Sequence, residues 1–481
     1  MMDSLLVLSD VHLGSDLNDF GGSIRRSRQV DQDLVDLLKH YRSVAPPRGR
    51  WRLVVAGDFI DFVGMTVRAD AEPLATERSD EEREHGLGNA VDHVRVKLRL
   101  VAERHRDVFD ALGNFVADGN TLAFVQGNHD LEMHWDSVKD DLRSLLLVRA
   151  RASRTDEVDG PAFDERISFH AWFFYIAGLA YIEHGHQYDA CCATQYILAP
   201  LSAEDPRRIT RSASDVLLRF VVRPTRGMHE YGHDKHGITH YLVFAVNLGW
   251  SGLLHLARRY ASAVGELFRL RREQLSGGSH VLREEHERRV AVLAQTTRIG
   301  RDRMRALAAL QVPRITRTLH GILASVLLDR LALGLAAALT LLVVSVLTMV
   351  HAVHAWWVAL CVVAAWLVAD RLLAGSRTID PEKRMIERAA DLARLFPAAF
   401  VVMGHTHVPA RMSVNDGAAT YINLGSWAEE EGDEHDAVHQ TYRAARTHLQ
   451  IHDGEEGPVA ELFAWDRDHG PQPFLARSSA Q

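Results

Sequence analysis

Five short clusters of histidine, aspartate and asparagine, each directly behind a short apolar run, carry the chemistry this sequence can do. Asp10-Val11-His12 follows Leu5–Leu8, and Gly57-Asp58-Phe59-Ile60-Asp61 follows Leu53–Ala56. Gly127-Asn128-His129-Asp130 follows Leu122–Val125, His184-Gly185-His186 follows Leu179–Ile182, and Gly404-His405-Thr406-His407 follows Phe400–Met403. Mixed imidazole, carboxylate and amide donors suit manganese, iron or zinc better than an all-oxygen magnesium site. The glycines let backbone pass close to an ion without a Cβ in the way. A single Gly-Asp or His-x-His pair carries little information. All five in order, each after a strand-like run, define a candidate metal centre.

Short continuous apolar runs read as strands buried on both faces. Between the first of them lie helical patterns. Val30, Leu34, Leu37, Leu38 and Tyr41 share one face, as do Val91, Val94, Leu98, Val101, Val108 and Leu112, with Gly119 as a C-cap. Alternating strand and helix predicts an α/β sheet with its site at the carboxyl ends of the strands, which is where all five motifs fall. Segments 66–88, 151–165 and 429–436 read as charged loops. Ala419–Asn423, Thr447–His452 and Val459–Trp465 read as closing strands.

The stretch between the fourth and fifth motifs breaks this rhythm and reads as a helical insertion over 189–394. It splits the domain carrying the motifs into 1–188 and 395–470, with 471–481 as a tail. From Pro206 to Arg330 it holds 22 Lys plus Arg against 10 Asp plus Glu, within a chain whose net charge is −8. That basic segment suits phosphates or anionic lipid, or it is a set of solvated helices. Leu331–Ala369 is 39 residues without a charged side chain. A hydrocarbon core is roughly 30 Å thick, so the stretch predicts a transmembrane hairpin of 331–350 and 353–369 rather than one helix. The flanking Arg314, Arg317, Arg330, Arg371, Arg377 and Lys383 would put both ends on the cytoplasmic face of the cell membrane. The alternative is a helix pair buried in protein. His229, His233, His236 and His240 recur at helical spacing, but Gly232 and Gly237 interrupt them, which favours a polar loop over a further metal site.

The five motifs resemble those of the calcineurin-like metallophosphoesterase superfamily, over about 1–190 and 395–470. The resemblance implies an αββα sandwich holding two divalent transition-metal ions, manganese first, with iron or zinc as alternatives. It implies that Asp10, His12 and His407 bind one ion, that Asn128, His184 and His405 bind the other, and that Asp58 bridges them. It assigns His129 to the scissile phosphate or leaving group, with Asp61 orienting it. Two such cations would clamp a phosphoryl group and lower the pKa of a bound water to about 7. Asp10–Gly14 also resembles the opening of the UDP-2,3-diacylglucosamine hydrolases. Those enzymes commonly carry arginine where His129 stands, and they lack the insertion. Protein phosphatases of the superfamily place arginine where Phe62 stands here.

Three cysteines, two of them adjacent at Cys191 and Cys192, make no disulfide framework, and the N-terminus does not read as a signal peptide. The sequence therefore predicts a membrane-attached hydrolase of a phosphodiester or pyrophosphate bond, in a phosphate ester that includes lipid-linked nucleotides. Arg207, Arg208, Arg223 and Arg226 are candidates to meet its phosphates, and His186 to line the cleft. The alternatives are a phosphodiesterase or phosphatase on soluble nucleotides or phosphate esters, merely tethered to the membrane, and a non-catalytic membrane scaffold. A nucleic-acid partner fits poorly beside a hairpin.

Overall fold

The computed structural model describes residues 3–18, 28–68, 73–225, 238–325, 328–351, 356–375, 380–428 and 445–475. Two sheets form its centre. The strands are β1 Ser4–Leu8, β2 Trp51–Ala56, β3 Thr121–Val125, β4 Ile167–His170, β5 Phe173–Ile176 and β6 Gly178–Glu183. They continue as β7 Ala398–Met403, β8 Ala410–Val414, β9 Ala419–Asn423, β10 Thr447–Gly454, β11 Gly457–Asp466 and β12 Gly470–Pro473. One sheet has the order β12-β11-β10-β1-β2-β3-β4 and the other β5-β6-β7-β9-β8. β1, β2, β3 and β4 run parallel, as do β6, β7 and β9, and the carboxyl ends of β1, β2, β3, β6 and β7 lead into the five motifs.

The period of two along each strand explains the layering. Leu6 and Leu8 of β1 point into one apolar cluster, with Leu34, Leu38, Val94, Leu98, Phe109 and Leu142. These come from helices α1 Arg28–Ser43, α2 Val91–Arg104, α3 Arg106–Ala117 and α4 Asp136–Ser153. Leu5 and Val7 point the other way, into a cluster with Val54, Ala123, Ile182, Val402 and Ile422 that glues the sheets together. A third cluster covers the outer face of the second sheet, joining Tyr181, Val401 and Tyr421 to Met385, Ala389 and Leu392. The layers therefore run helix, sheet, sheet, helix.

The second helical pattern is two helices. His105 ends α2 and precedes α3 at φ −108, ψ 37. Its ring spans the break, bonding Asp31 at 2.7 Å and accepting from the Gly14 amide at 3.0 Å.

The insertion is helical, with α5 Ala213–Leu217, a π turn over Leu218–Val222, α6 Ile238–Gln274, α7 Gly277–Thr296 and α8 Arg301–Leu310. After α9 Leu319–Ser325 come α10 Leu328–His351 and α11 Trp356–Gly375, and then α12 Pro381–Leu395. α12 belongs to the outer layer of the second sheet, since Met385, Ala389 and Leu392 pack there. The apolar run does form two helices, but among the described residues no helix is long and apolar enough to cross a membrane. The transmembrane hairpin, and the anchoring at the cytoplasmic face of a membrane inferred from it, are corrected accordingly. Arg226, His229, His233 and His236 lie outside the described residues, as does the side chain of His240.

Candidate metal centre

The loops behind β1, β2, β3, β6 and β7 are sewn together by backbone hydrogen bonds before any side chain is considered. The Asp10 amide donates to the Gly57 carbonyl at 3.1 Å and the His12 amide to the Asp58 carbonyl at 2.9 Å. The Phe62 amide donates to His129 at 3.0 Å, and Gly404 to His184 at 3.0 Å. Close approach requires the glycines. A Cβ on Gly57 would lie 2.3 Å from His184 Nδ1, one on Gly127 2.1 Å from Asp58 Oδ1, and one on Gly404 2.3 Å from Asp10 Oδ2.

This framework brings the donors together in buried clusters that could hold a metal ion: Asp10, His12 and His407; Asp10, Asp58 and His184. Asp10 Oδ1 lies 3.0 Å from His407 Nε2, and Asp58 Oδ2 lies 3.1 Å from His184 Nε2. His184 Nε2 also faces Asn128 Oδ1 at 3.2 Å, while its Nδ1 meets the Ala56 carbonyl at 2.9 Å. That carbonyl contact puts the proton on Nδ1 and aims Nε2 at the carboxylate, as a metal-bound histidine requires. His405 reaches the same cavity, its ring centroid 5.3 Å from that of His184, with its amide 3.1 Å from Asp10 Oδ2. His12 Nε2 is buried without a hydrogen-bond partner, 3.6 Å from Asp58 Oδ2. An orphaned imidazole nitrogen between carboxylates is expensive in a protein interior unless a cation completes it.

Electrostatics follow from the same crowding. Burial alone would raise Asp10, but His407 and His184 beside it hold the carboxyl well below its usual range. Burial likewise opposes ionisation of Asp58, and His184 and His129 outweigh it. His184 is pushed up to about 9, since Asp58 and Asp10 overcome its burial. His186, equally buried but beside His184 and His405, is pushed far down. Its Nε2 lies 3.0 Å from the Gln187 side-chain amide, and its Nδ1 is unpartnered.

His129 stands beside this cluster. Its Nδ1 bonds Asp61 Oδ1 at 2.7 Å, and its ring lies edge-on to His12 with centroids 4.6 Å apart. Asp61, fully buried, also accepts from the Gly64 amide at 2.7 Å. The structure thus brings together Asp10, His12, Asp58, Asn128, His184, His405 and His407, with His129 and Asp61 at one side. Arg223 is there too, donating to Asp61 Oδ2 at 2.9 Å. Arg208 instead bonds Glu82 at 2.8 Å, and the exposed Arg207 bonds Asp205 at 2.8 Å.

Two residues were not singled out from sequence. Asp130 accepts from the Phe59 amide at 2.8 Å and the Gly127 amide at 2.6 Å, pinning two motifs to each other. Its place in Gly-Asn-His-Asp could have signalled this. Asp189 Oδ2 sits 3.2 Å from His405 Nε2, within a further cluster with Cys192. Spacing gave no signal for that contact.

No protein-family model matches this chain, and no curated protein matches it.

Proposed function

We propose that the chain is a dinuclear-metal phosphoesterase of the calcineurin-like kind, cleaving a phosphodiester or pyrophosphate bond. The observation that carries the proposal is the pair of buried donor clusters sharing Asp10, with the orphaned His12 nitrogen between Asp10 and Asp58. Asp10, His12 and His407 would hold one ion and Asn128, His184 and His405 the other, with Asp58 between them. The donor chemistry suits manganese, iron or zinc. Bound there, such ions supply Lewis acidity toward a phosphoryl oxygen and an activated water.

The chain's own groups do the rest. Asp61 holds the His129 Nδ1 proton, which fixes the ring and leaves Nε2 as the nitrogen that passes a proton to the leaving oxygen. When protonated, His129 also sets positive charge against the developing charge on the phosphoryl oxygens. The buried carboxylates orient the histidine donors through direct contacts, and the glycine loops keep the backbone tight around them. A lipid-linked substrate has no support from the fold, since among the described residues no helix is long and apolar enough to cross a membrane.

The test is turnover of a small aryl diester, a monoester, a nucleoside diphosphate and a dinucleotide polyphosphate by metal-reconstituted protein. Activity should require added manganese, iron or zinc and vanish on chelation. Asp58→Ala should cut it by several orders of magnitude and lower bound metal. His129→Ala should keep the metal and lose ~10²–10⁴-fold in rate. Full activity in Asp58→Ala, or in protein shown to be metal-free, would refute the proposal.

A further inference from the structure

Arg223 comes from the insertion, at the end of the π turn over Leu218–Val222, yet its side chain is only 1% exposed and lies against the catalytic half. Its Nη2 donates to Asp61 Oδ2 at 2.9 Å and its Nη1 to the Ser15 carbonyl at 2.9 Å. The other oxygen of Asp61 takes His129 Nδ1 at 2.7 Å. The three side chains therefore form one line: guanidinium, carboxylate, imidazole. A Cβ on Gly64 would lie 2.2 Å from Arg223 Nη2 and 2.0 Å from Asp61 Oδ2, so the backbone is shaped to admit the pair.

The insertion is fastened around this contact. Arg211 and Arg219 both pair with Glu81, and Arg208 pairs with Glu82. From within the insertion, Arg259 Nη1 donates to the Pro224 carbonyl at 2.6 Å, holding the residue next to Arg223. The first three tie the segment leading to Arg223 to Glu81 and Glu82, and the last holds the residue directly after it.

We infer that Arg223 is a positioning residue for the proposed reaction: it holds Asp61, and through it His129, so the proton donor is assembled only when the insertion is docked. The inference rests on the phosphoesterase reading of the site. The competing role, a direct contact to substrate phosphate, would require Arg223 to leave an ion pair whose partners are both 1% exposed. Once His129 loses its fixed orientation, a substrate of any size loses the same proton transfer. Without Arg223, the buried Asp61 loses its guanidinium partner, and the imidazole it carries is no longer held from behind.

A double-mutant cycle on the metal-reconstituted full chain tests this. Arg223→Ala should lower kcat roughly 10–100-fold, equally for a small aryl diester and a dinucleotide polyphosphate. KM and bound metal should change little. In a His129→Gln background, Arg223→Ala should cost almost nothing further. Added guanidinium should restore part of the Arg223→Ala rate, and Arg223→Lys should retain more activity than Arg223→Ala. A purely architectural role predicts additive losses and no rescue; a substrate-reading role predicts a rise in KM confined to the larger substrate. Either result overturns the inference.

A readout independent of turnover separates this inference from the functional proposal. The His129 Nδ1–H proton, identified by its absence in His129→Gln, should resonate at low field in the wild type and move or vanish in Arg223→Ala. If no phosphate ester is turned over, the functional proposal fails while this measurement still decides the positioning. An unmoved resonance overturns the inference even in an active enzyme. Should Arg223→Ala fail to fold, Arg223→Gln and Arg223→Lys carry the same comparison.

Discussion

Gly127→Ala is the sharpest test of how the site is built, because it adds one methyl group at a position with no room for it. The new Cβ would lie 2.1 Å from Asp58 Oδ1 and 2.5 Å from the Asp58 backbone nitrogen. Relief requires a movement of about 1 Å to restore ordinary contact. The carboxylate is anchored by the His129 amide at 2.8 Å, and the Asp58 carbonyl by the His12 amide at 2.9 Å. Overpacking of this kind costs about 1–3 kcal/mol. At about 2–4 °C per kcal/mol in a domain of this order of size, the unfolding midpoint should fall by several degrees. The functional loss should be larger, since a 1 Å displacement at a reacting centre is worth roughly 10²-fold in rate. Calorimetry, metal analysis and turnover of a small diester should be measured side by side with two controls. Gly277, at the start of α7, has nothing within 4 Å, so Gly277→Ala should be neutral or stabilising by up to ~1 kcal/mol. Gly178 is equally open but sits at φ +78, so Gly178→Ala should cost only the ~1–2 kcal/mol of a left-handed backbone and leave turnover alone. A Gly127→Ala protein with native metal content and turnover would refute the close-approach argument for the motif.

Acid should destabilise the fold through His448. It is wholly buried against Tyr41, whose hydroxyl meets its Nε2 at 2.8 Å, and burial pushes it down to about 3. The folded pKa lies below the unfolded value of ~6.5, so its contribution is intact above pH 6.5 and is lost as the pH falls toward 3. At about 1.4 kcal/mol per pH unit this amounts to a few kcal/mol. Denaturant unfolding from pH 7 to 4 should show a shallower decline in His448→Gln, and an unchanged slope would refute the assignment. Glu81→Gln should loosen the insertion, because it leaves Arg211 and Arg219 facing each other without their shared carboxylate. Partial exposure of Glu81 reduces the cost to ~1–3 kcal/mol. Limited proteolysis should then cut faster within 189–380 than in the two sheets, and an unchanged cleavage pattern would count against this anchoring.

The strands that position the site were legible because each is an apolar run buried on both faces and ended by a polar motif. β2, β3, β6 and β7 lie within a residue or two of the runs that announce them. What pattern could not show is contact between segments far apart in sequence. Arg223 meets Asp61 across 162 positions and Asp189 meets His405 across 216, and neither pair has a spacing to read. The break at His105 was hidden because Val101 and Val108 continue one apolar face through it; the interruption serves a hydrogen bond to Gly14, not packing. The run from Leu331 to Ala369 misled for a different reason. Absence of charge specifies that helices avoid desolvating ions, and it is silent on how far each helix extends or what covers it.

The backbone at the donors carries a further consequence. Among the described residues nine non-glycine positions adopt positive φ, and five of these are Asp10, His12, Asp58, His405 and His407. Aspartate and histidine tolerate the left-handed region better than most residues, but each such position still costs roughly 1–2 kcal/mol. A strand leaving the sheet with extended backbone would carry its next side chains to alternate faces. A left-handed residue just past the strand end turns the chain sharply enough to bring donors from both sheets into one cavity. The cost is offset locally, because the same turns let the Asp10 amide reach Gly57, the His12 amide reach Asp58 and the His405 amide reach the Asp10 carboxylate. Strain is thus concentrated on residues that face one another in the buried clusters that could hold a metal ion, and it is offset by backbone contacts made at the same turns.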